Sequence, residues 1–337
     1  MTCSAGPDLA TAAAALCGRP VRALAPVRGG GNNRMYRVEC DDGAAFALKT
    51  YSAIAEDPRD RLGTEFAALS FLAGAGCAVV PKPLARDPAR GYALYEWIEG
   101  EAAEPCRDEE IEATLAFVAD LHRLRAAPGA DALAAASEAC LRSAEIVRQV
   151  DARLEVLSAA AAEEPALAAF LNDRFRPARR LILERTAALG RETGLDMATE
   201  LPAARLTLSP SDFGFHNALR RPGGRLVFVD FEYFGWDDPV RLVADFLQHP
   251  GMALSEAQRA RFRAGASAIY GAGDPAFPAR LDCLYPVVGL RWCMILLNEF
   301  LPSRRRRRAY AGQSEDWELV KARQLAKAGA RLDAVSV

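Results

Sequence analysis

Leu208-Ser-Pro-Ser-Asp212-Phe-Gly-Phe-His-Asn217-Ala-Leu219 decides the fold, and Leu226-Val-Phe-Val-Asp230-Phe-Glu232 follows it after a glycine-containing turn. The stretch places Asn217 five residues after Asp212 and Asp230 thirteen residues further on. Transfer of a γ-phosphoryl group requires a carboxylate that orients and deprotonates a hydroxyl, and oxygen ligands for the Mg²⁺ that neutralises the phosphates. The spacing therefore indicates a phosphoryl-transfer site, with Asp212 as the base and Asn217 and Asp230 as metal ligands.

The tripeptide Asp212-Phe213-Gly214 also matches the segment that carries the metal-binding aspartate in protein kinases. The order of the parts argues against that interpretation. No aspartate with an asparagine five residues later lies shortly upstream of Asp212, whereas Asp230-Phe231-Glu232 lies downstream at a suitable distance. We therefore interpret residues 212–217 as the catalytic loop.

The segment resembles the signature of the aminoglycoside phosphotransferase and choline kinase superfamily. The residues that match are Asp212, Asn217, Asp230, Glu232 and Asp238-Pro239. The sequence departs from the family pattern at Ser209-Pro210-Ser211, where the family has a histidine, which supports the loop from behind, and a glycine. The resemblance implies an α+β, two-lobed protein-kinase-like fold. Residues 20–100 would form a small lobe with an antiparallel β-sheet and one helix, and residues 101–337 a larger, mainly helical lobe.

Alternating and β-branched residues near the amino terminus predict three antiparallel strands, at Val21–Val27, Met35–Glu39 and Ala45–Lys49. The turn between the first two contains three glycines, which would let backbone amides approach phosphate oxygens closely. A glycine-rich hairpin with a purely structural role is the alternative. The pattern from Asn33 to Tyr36-Arg37-Val38 also resembles the nucleotide loop of the family. The predicted nucleotide contacts there are Gly29, Gly30, Gly31, Asn32 and Asn33.

Lys49 ends an apolar strand, where a cation is costly unless an anion pairs with it. Glu65 lies in a segment whose apolar residues recur at helical spacing. We expect Lys49 to pair with Glu65 and to contact the α- and β-phosphates of the nucleotide. A surface lysine and a solvated glutamate remain the alternative, and Glu39 and Glu56 lie close enough in sequence to compete with Glu65.

An apolar strand that starts at Tyr92 runs out into Glu99-Gly100 and resembles the linker between kinase lobes. By that resemblance, the backbone carbonyl of Glu96 and the amide of Ile98 would bind adenine. An edge strand followed by a turn is the alternative.

The chain beyond this linker is predicted to be mainly helical. The predicted helices lie near 109–124, 132–161, 164–191, 240–248, 255–270, 278–300 and 314–330. Polar residues that interrupt the apolar helix near the carboxy terminus are candidate substrate contacts, as is Glu232. They are Arg291, Trp292, Asn298 and Glu299. The run Arg304 to Arg308 is either a solvated turn or a contact for an anionic substrate or surface.

Composition excludes several classes of protein. The 337 residues carry a formal charge of −2, which gives no general attraction to nucleic acid. Arg291 and Asn298 interrupt the most apolar long segment, so no membrane span is expected. The eight cysteines contain no Cys-x-x-Cys pair, and with no secretory leader evident they predict reduced thiols in a cytoplasmic protein. Three histidines far apart in the sequence argue against a histidine-based zinc site.

Together these features predict a Mg²⁺-dependent kinase that uses ATP or GTP, with a sugar or amino alcohol as the acceptor by resemblance. A protein kinase would need a long activation segment after Asp230, but the chain runs directly into Asp238-Pro239 and a helix. This favours a small-molecule acceptor over a protein acceptor. The alternative, prompted by Ser209-Pro210-Ser211, is a catalytically impaired nucleotide-binding protein on the same fold.

Overall fold

A computed structural model of the chain describes residues 7–27, 33–51, 59–310 and 315–336. Strands dominate up to residue 96 and helices dominate beyond it. The predicted α+β class is therefore correct. The division into lobes at about residue 100 agrees with this change of composition but stays a prediction.

Within the described residues, five strands form one antiparallel sheet in the order β1-β2-β3-β5-β4. Alternating burial along β2 produces two different sheet faces, because successive side chains point to opposite sides. One face packs on helix α1, and the other packs on helix α2. The bounds are α1 Pro7–Cys17, β1 Val21–Val27, β2 Arg34–Cys40, β3 Ala45–Thr50, α2 Arg61–Gly74, β4 Pro83–Asp87 and β5 Tyr92–Glu96.

Two small sheets frame the motif that decides the fold. Strand β7 pairs with β10, and β8 pairs with β6 and β9, so the loop after β7 lies between the two ladders. The bounds are β6 Glu101–Ala102, β7 Thr207–Ser209, β8 Ala218–Arg220, β9 Leu226–Phe228 and β10 Gly235–Asp237.

The helical part is built around α9, which packs against α4, α6, α7 and α11. Helix α7 begins after Asp238, whose carboxylate accepts a hydrogen bond from the Val240 amide and caps the helix. The bounds are α3 Asp108–Leu124, α4 Ala144–Ala160, α5 Pro165–Ala169, α6 Arg176–Thr193, α7 Pro239–Gln248, α8 Glu256–Gly271, α9 Phe277–Leu296, α10 Pro302–Tyr310 and α11 Trp317–Ser336.

Three sequence predictions need correction. The helix expected from residue 132 begins only at Ala144, because backbone hydrogen bonds to Tyr233 and Trp236 hold the preceding segment in an extended form. The helix expected over 164–191 widens into a π-helical turn just before Pro177, which has no amide hydrogen for the regular ladder. The arginine run lies on helix α10 and not in a turn.

Among the described residues, one helical stretch, Phe277–Phe300, is long and apolar enough to cross a membrane by length and composition. However, 72% of its most apolar window is buried inside the fold. A central core helix has these properties.

Candidate active site

The loop that carries Asp212 is anchored by aromatic side chains. Phe213 and Phe215 are buried, and their rings lie 5.4 and 5.8 Å from the ring of Phe246 on α7. Gly214 stands between them, where a Cβ atom would come within 2.6 Å of the Met252 sulfur. Because the two phenylalanines fix the backbone, Asp212 is held at the wall of a cavity.

An arginine supports the segment Ser209-Pro210-Ser211, which departs from the family pattern. Arg241 donates to the hydroxyl of Ser211 at 2.9 Å and to the carbonyl oxygen of Ser137 at 3.1 Å. It also pairs with the buried carboxylate of Asp237 at 2.5 Å. The Ser211 amide in turn donates to the hydroxyl of Ser209 at 3.1 Å. The serine-proline-serine segment therefore has a support of its own, which the sequence did not predict.

Two histidines contact the Asp212 carboxylate. The Nε2 atoms of His216 and His249 lie 3.0 and 3.6 Å from the Asp212 Oδ1 atom. The two imidazole rings stack in parallel, with centroids 3.8 Å apart. The distance between these histidines in the sequence therefore did not predict that they lie together in the fold. Two histidines and one carboxylate are fewer ligands than the four of a structural zinc site.

The surroundings of Asp212 change several pKa values. Burial acts to raise the pKa of the Asp212 carboxyl, but the hydrogen bond from His216 and the electrostatic effects of His216, His249 and Arg291 together outweigh it and lower the pKa below its usual range. Burial and the neighbouring His216 lower the pKa of His249 to about 3. At neutral pH, Asp212 is therefore ionised and His249 is uncharged.

Asn217 lies beside Asp212 in the turn that closes the loop. Its side-chain nitrogen donates to the backbone oxygen of Asp212 at 3.0 Å. Its backbone oxygen accepts from the amide of Val229 at 2.9 Å, which brings it next to Asp230. No residue in the described ranges donates to the side-chain oxygen of Asn217. That oxygen is therefore available as a ligand for a cation.

Lys49 connects the large sheet to the helical part. Its ammonium lies 2.6 Å from the Glu65 Oε2 atom and 2.6 Å from the Asp230 Oδ1 atom. The amide of Phe231 donates to the other oxygen of Glu65 at 3.2 Å, and the Tyr51 hydroxyl donates to Oε2 at 2.6 Å. Burial acts to lower the pKa of Lys49, but Asp230 and Glu65 outweigh it and raise the pKa well above its usual range. The predicted pairing of Lys49 with Glu65 is present. The competing candidate Glu39 pairs instead with Arg22 and Arg37, and Glu56 lies outside the described residues.

Glu65, Asp230 and Glu232 form a compact carboxylate cluster in the part of the chain that the structure describes. One oxygen from each lies within 4.8 Å of the others. Burial raises the pKa of Asp230 to about 7, while Lys49 acts to lower it and Glu232 and Glu65 act to raise it further. Crowded carboxylate oxygens, with the free oxygen of Asn217 nearby, are the donor set that Mg²⁺ prefers. The residues present therefore fit a magnesium ion.

Backbone strain is concentrated at this site. The described residues other than glycine that have a positive φ are Glu138 at 56°, Ser211 at 67° and Asp230 at 67°. Such conformations are costly and persist where surrounding structure enforces them, often at functional sites. Ser211 directly precedes the predicted base Asp212, and Asp230 is a predicted metal ligand. Glu138 lines the same cavity as Asp212.

The predicted nucleotide contacts are only partly described. Gly29, Gly30, Gly31 and Asn32 lie outside the described residues. Asn33 is buried and donates to Glu232, while its side-chain oxygen is buried without a hydrogen-bond partner.

The predicted linker between the lobes follows β5. The carboxylate of Glu96 pairs with Arg221 at 2.9 Å, and Ile98 is buried. The adenine contacts predicted for their backbone atoms remain predictions.

A cavity of about 340 Å³ opens beside Asp212. Arg291, Trp292 and Asn298 line it, as expected for substrate contacts. Glu232 and Glu299, the other candidates, are not among its lining residues. Glu232 instead lies 3.8 Å from Lys49, and Glu299 pairs with Arg304 and Arg308.

Arg291 is fixed by its neighbours. Its guanidinium donates to Gln149 at 2.9 Å, to Asp245 at 3.1 Å and to Glu138 at 2.9 Å. It therefore holds the cavity wall together, and direct contact with a substrate is not required to explain its position.

A model of the phosphotransferase enzyme family (APH) matches residues 23–281, which include both the Lys49 and the Asp212 segments. No significant match was found among curated proteins.

Solved structures share the overall fold at low sequence identity. A choline/ethanolamine kinase family protein from Mesorhizobium loti is 20% identical, with a TM-score of 0.56 over 97% of this chain and 98% of that chain. Choline kinase LicA from Streptococcus pneumoniae is 12% identical, with a TM-score of 0.61 over 97% and 98%.

Spectinomycin phosphotransferase APH(9)-Ia, solved with ADP and spectinomycin, is 11% identical, with a TM-score of 0.59 over 96% and 97%. The structural similarity establishes the two-lobed kinase-like fold. Sequence identities this low do not identify the substrate. Since the family model covers more than half of the chain, the protein belongs to the phosphotransferase enzyme family that contains the aminoglycoside phosphotransferases and choline kinases.

Proposed function

We propose that this protein is a Mg²⁺-dependent kinase that transfers the γ-phosphoryl group of ATP or GTP to a hydroxyl group of a small molecule. The observation that carries the proposal is the continuous arrangement from Lys49 through Asp230 and Asn217 to Asp212. Lys49 contacts Asp230, the neighbouring Val229 donates to Asn217, and Asp212 lines a cavity of about 340 Å³. This arrangement supports the roles of a phosphate-binding cation, metal ligands and an ionised base. Phosphoryl transfer depends mainly on such positioning and charge.

Asp212 would act on the acceptor hydroxyl. Its Oδ1 atom contacts the two histidines, while no described residue hydrogen-bonds to Oδ2, which can accept the hydroxyl proton. The acceptor oxygen bonds to the γ-phosphorus as the bond from that phosphorus to the β–γ bridging oxygen breaks. The nucleoside diphosphate leaves with that oxygen, and the hydroxyl proton passes to Asp212.

The other residues would hold the nucleotide. Lys49 would donate to the α- and β-phosphates, and Glu65 keeps the Lys49 side chain in place. Asn217 and Asp230 would hold Mg²⁺, which when bound neutralises phosphate charge. The nucleotide contacts proposed for Gly29 to Asn33, Glu96 and Ile98 follow from the family resemblance.

The alternative of a catalytically impaired nucleotide-binding protein rested on Ser209-Pro210-Ser211. The contacts of Arg241 with Ser211 and Ser137 support an ordered loop despite this departure.

The described cysteines carry free thiols, which supports the proposed cytoplasmic location. We expect a small-molecule partner, no nucleic acid and no membrane span.

The test is calorimetric titration of ATP and GTP with and without Mg²⁺, on the wild type, Asp230→Asn and Asp212→Asn. We expect Mg²⁺-dependent binding by the wild type and loss of that dependence in Asp230→Asn. Asp212→Asn should bind nucleotide but turn over an acceptor more slowly by about two to four orders of magnitude. Absence of binding by either nucleotide would contradict the proposal, and so would near-normal turnover by Asp212→Asn. Binding without acceptor phosphorylation would favour the alternative.

A further inference from the structure

The cavity beside Asp212 has a wall rich in charged side chains. Five arginines line it against three carboxylates, so its wall is rich in hydrogen-bond donors. The arginines are Arg59, Arg153, Arg241, Arg291 and Arg304, and the carboxylates are Glu138, Asp212 and Asp245. Its volume of about 340 Å³ is near the lower end of the range for small-molecule sites, and would suit an acceptor of about one sugar ring.

The carboxylates on this wall, apart from Asp212, are already shared between arginines. Glu138 contacts both Arg153, at 2.5 Å, and Arg291, at 2.9 Å. Asp245 contacts both Arg241, at 3.2 Å, and Arg291, at 3.1 Å. Burial acts to raise the pKa of Glu138, but Arg291 and Arg153 outweigh it and lower the pKa to about 2. A cationic acceptor would therefore have to compete with arginines for both carboxylates.

Two of the arginines retain donors. Arg153 uses its Nη2 atom for Glu138, and no described residue accepts a hydrogen bond from its other terminal nitrogen, Nη1. Arg304 approaches Glu299 only through Nε, at 3.4 Å, and Arg308 also pairs with that carboxylate. Neither terminal nitrogen of Arg304 has a partner among the described residues. Their side chains are 22% and 33% exposed, so both can meet a ligand.

The ion pairs around the cavity agree with this distribution. Asp237, behind the wall, pairs with Arg241, so Arg153, Arg241 and Arg291 are balanced by Glu138, Asp237 and Asp245. Arg304 and Arg308 both approach the carboxylate of Glu299, so that carboxylate is also shared between two arginines. A guanidinium that has unpaired N–H donors and is partly shielded from water binds a phosphate or carboxylate oxygen tightly.

We propose that the acceptor is a small hydroxylated anion. Its phosphate or carboxylate group would bind Arg153 and Arg304, while its hydroxyl would reach Asp212 on the same cavity wall. The proposal rests on the proposed function and adds the acceptor class to it. The bonds that form and break are those of γ-phosphoryl transfer from the nucleotide to the hydroxyl, with the proton passing to Asp212, and the anionic group stays unchanged.

The test measures binding, so that it does not depend on finding the natural acceptor. Matched probes would be titrated by calorimetry into the protein saturated with Mg²⁺ and a non-hydrolysable ATP analogue. Glucose is compared with glucose 6-phosphate, with glucuronate and with glucosamine. We expect an anionic probe to bind about tenfold or more tightly than glucose, as one charge-assisted hydrogen bond can provide. Comparing the affinities of glucose 6-phosphate and glucuronate shows whether the cavity prefers a phosphate or a carboxylate group.

The variants Arg153→Gln and Arg304→Gln should each remove most of this preference. Arg148→Gln, on the same helix as Arg153, and Arg305→Gln, next to Arg304, are matched controls because neither lines the cavity; both should retain the preference. Equal binding of glucose and the anions would overturn the proposal, as would tighter binding of glucosamine or an anion preference that survives in both variants.

The nucleotide titration separates this inference from the proposed function. If the ATP analogue does not bind, the proposed function fails. The same probes titrated into nucleotide-free protein and its variants then still decide whether the cavity prefers anions. If the analogue binds and the anions show no preference, the kinase assignment stands and the acceptor class is wrong.

Discussion

At the scale of single residues, the stacked histidines explain how Asp212 stays ionised. The amide of Gly251 donates to Nδ1 of His249 at 3.1 Å, so the single proton of the neutral ring is on Nε2, which faces Asp212. His216 presents its own Nε2 atom to the same carboxylate oxygen. One oxygen of the base is therefore hydrogen-bonded to His216 and faces His249, while the other remains for a substrate.

His249 should make the protein sensitive to acid. Its pKa is about 3 in the fold, against an ordinary value near 6.5, so the unfolded chain binds an extra proton between these values. Stability is then fully present above about pH 6.5 and falls as the pH decreases, by at most about 1.4 kcal/mol per pH unit from this group. Urea unfolding from pH 7.5 to 4.5 should show a shallower acid loss in His249→Phe, which keeps an aromatic ring. His122→Phe is the reference, since the pKa of His122 is also lowered, to about 4, at a site away from Asp212. Equal slopes in the wild type and His249→Phe would contradict the prediction.

At the scale of structural elements, the catalytic loop depends on helix α7. Arg241 on α7 joins the loop, through Ser211, to the segment before α4, through Ser137. A planar guanidinium can make these contacts together, whereas a lysine ammonium cannot reproduce the same fork.

Arg241→Lys should therefore lower both stability and turnover. The change keeps the charge near Asp237 and Asp245 but loses the fixed contacts with Ser211 and Ser137. We expect kcat to fall about tenfold or more while nucleotide affinity stays near normal, since the loop and not the nucleotide contacts is disturbed. Arg280→Lys is the matched control because Arg280 also forms a buried pair, with Asp238, but away from the loop. Equal losses of kcat in both variants would show that Arg241 acts only through stability.

Much of this arrangement can be predicted from local sequence. The strands β1 to β3, helix α2 and the spacing of Asp212, Asn217 and Asp230 are each encoded within short segments, by alternation, periodicity or motif spacing. The extended segment before Ala144 was mispredicted as helix because its structure depends on pairing with residues about a hundred positions later. His249 and Arg241 were missed for a similar reason: they lie outside the Asp212 motif, and only helix packing brings them to it.

At the scale of the whole molecule, one charged cluster joins the large sheet and α2 to the helical part. Lys49 and Glu65 come from β3 and α2, while Asp230 and Glu232 follow β9. Three carboxylates surround Lys49, so this single ammonium reduces repulsion between the two parts of the fold. A more exposed pair, Arg221 with Glu96, connects the same two parts at 2.9 Å.

Lys49→Met should destabilise the protein strongly because it leaves the buried carboxylates without their shared cation. Removing one partner of a buried ion pair costs about 3–5 kcal/mol in the free energy of unfolding. Adding Glu65→Gln to Lys49→Met should recover part of this loss, since one uncompensated charge disappears. Arg221→Met is the control, and its partly exposed pair should contribute no more than about 1 kcal/mol. Urea unfolding of the four proteins measures these differences. If Lys49→Met unfolds at the same urea concentration as Arg221→Met, or if Glu65→Gln worsens the loss, charge repulsion is not what Lys49 relieves between the two parts of the fold.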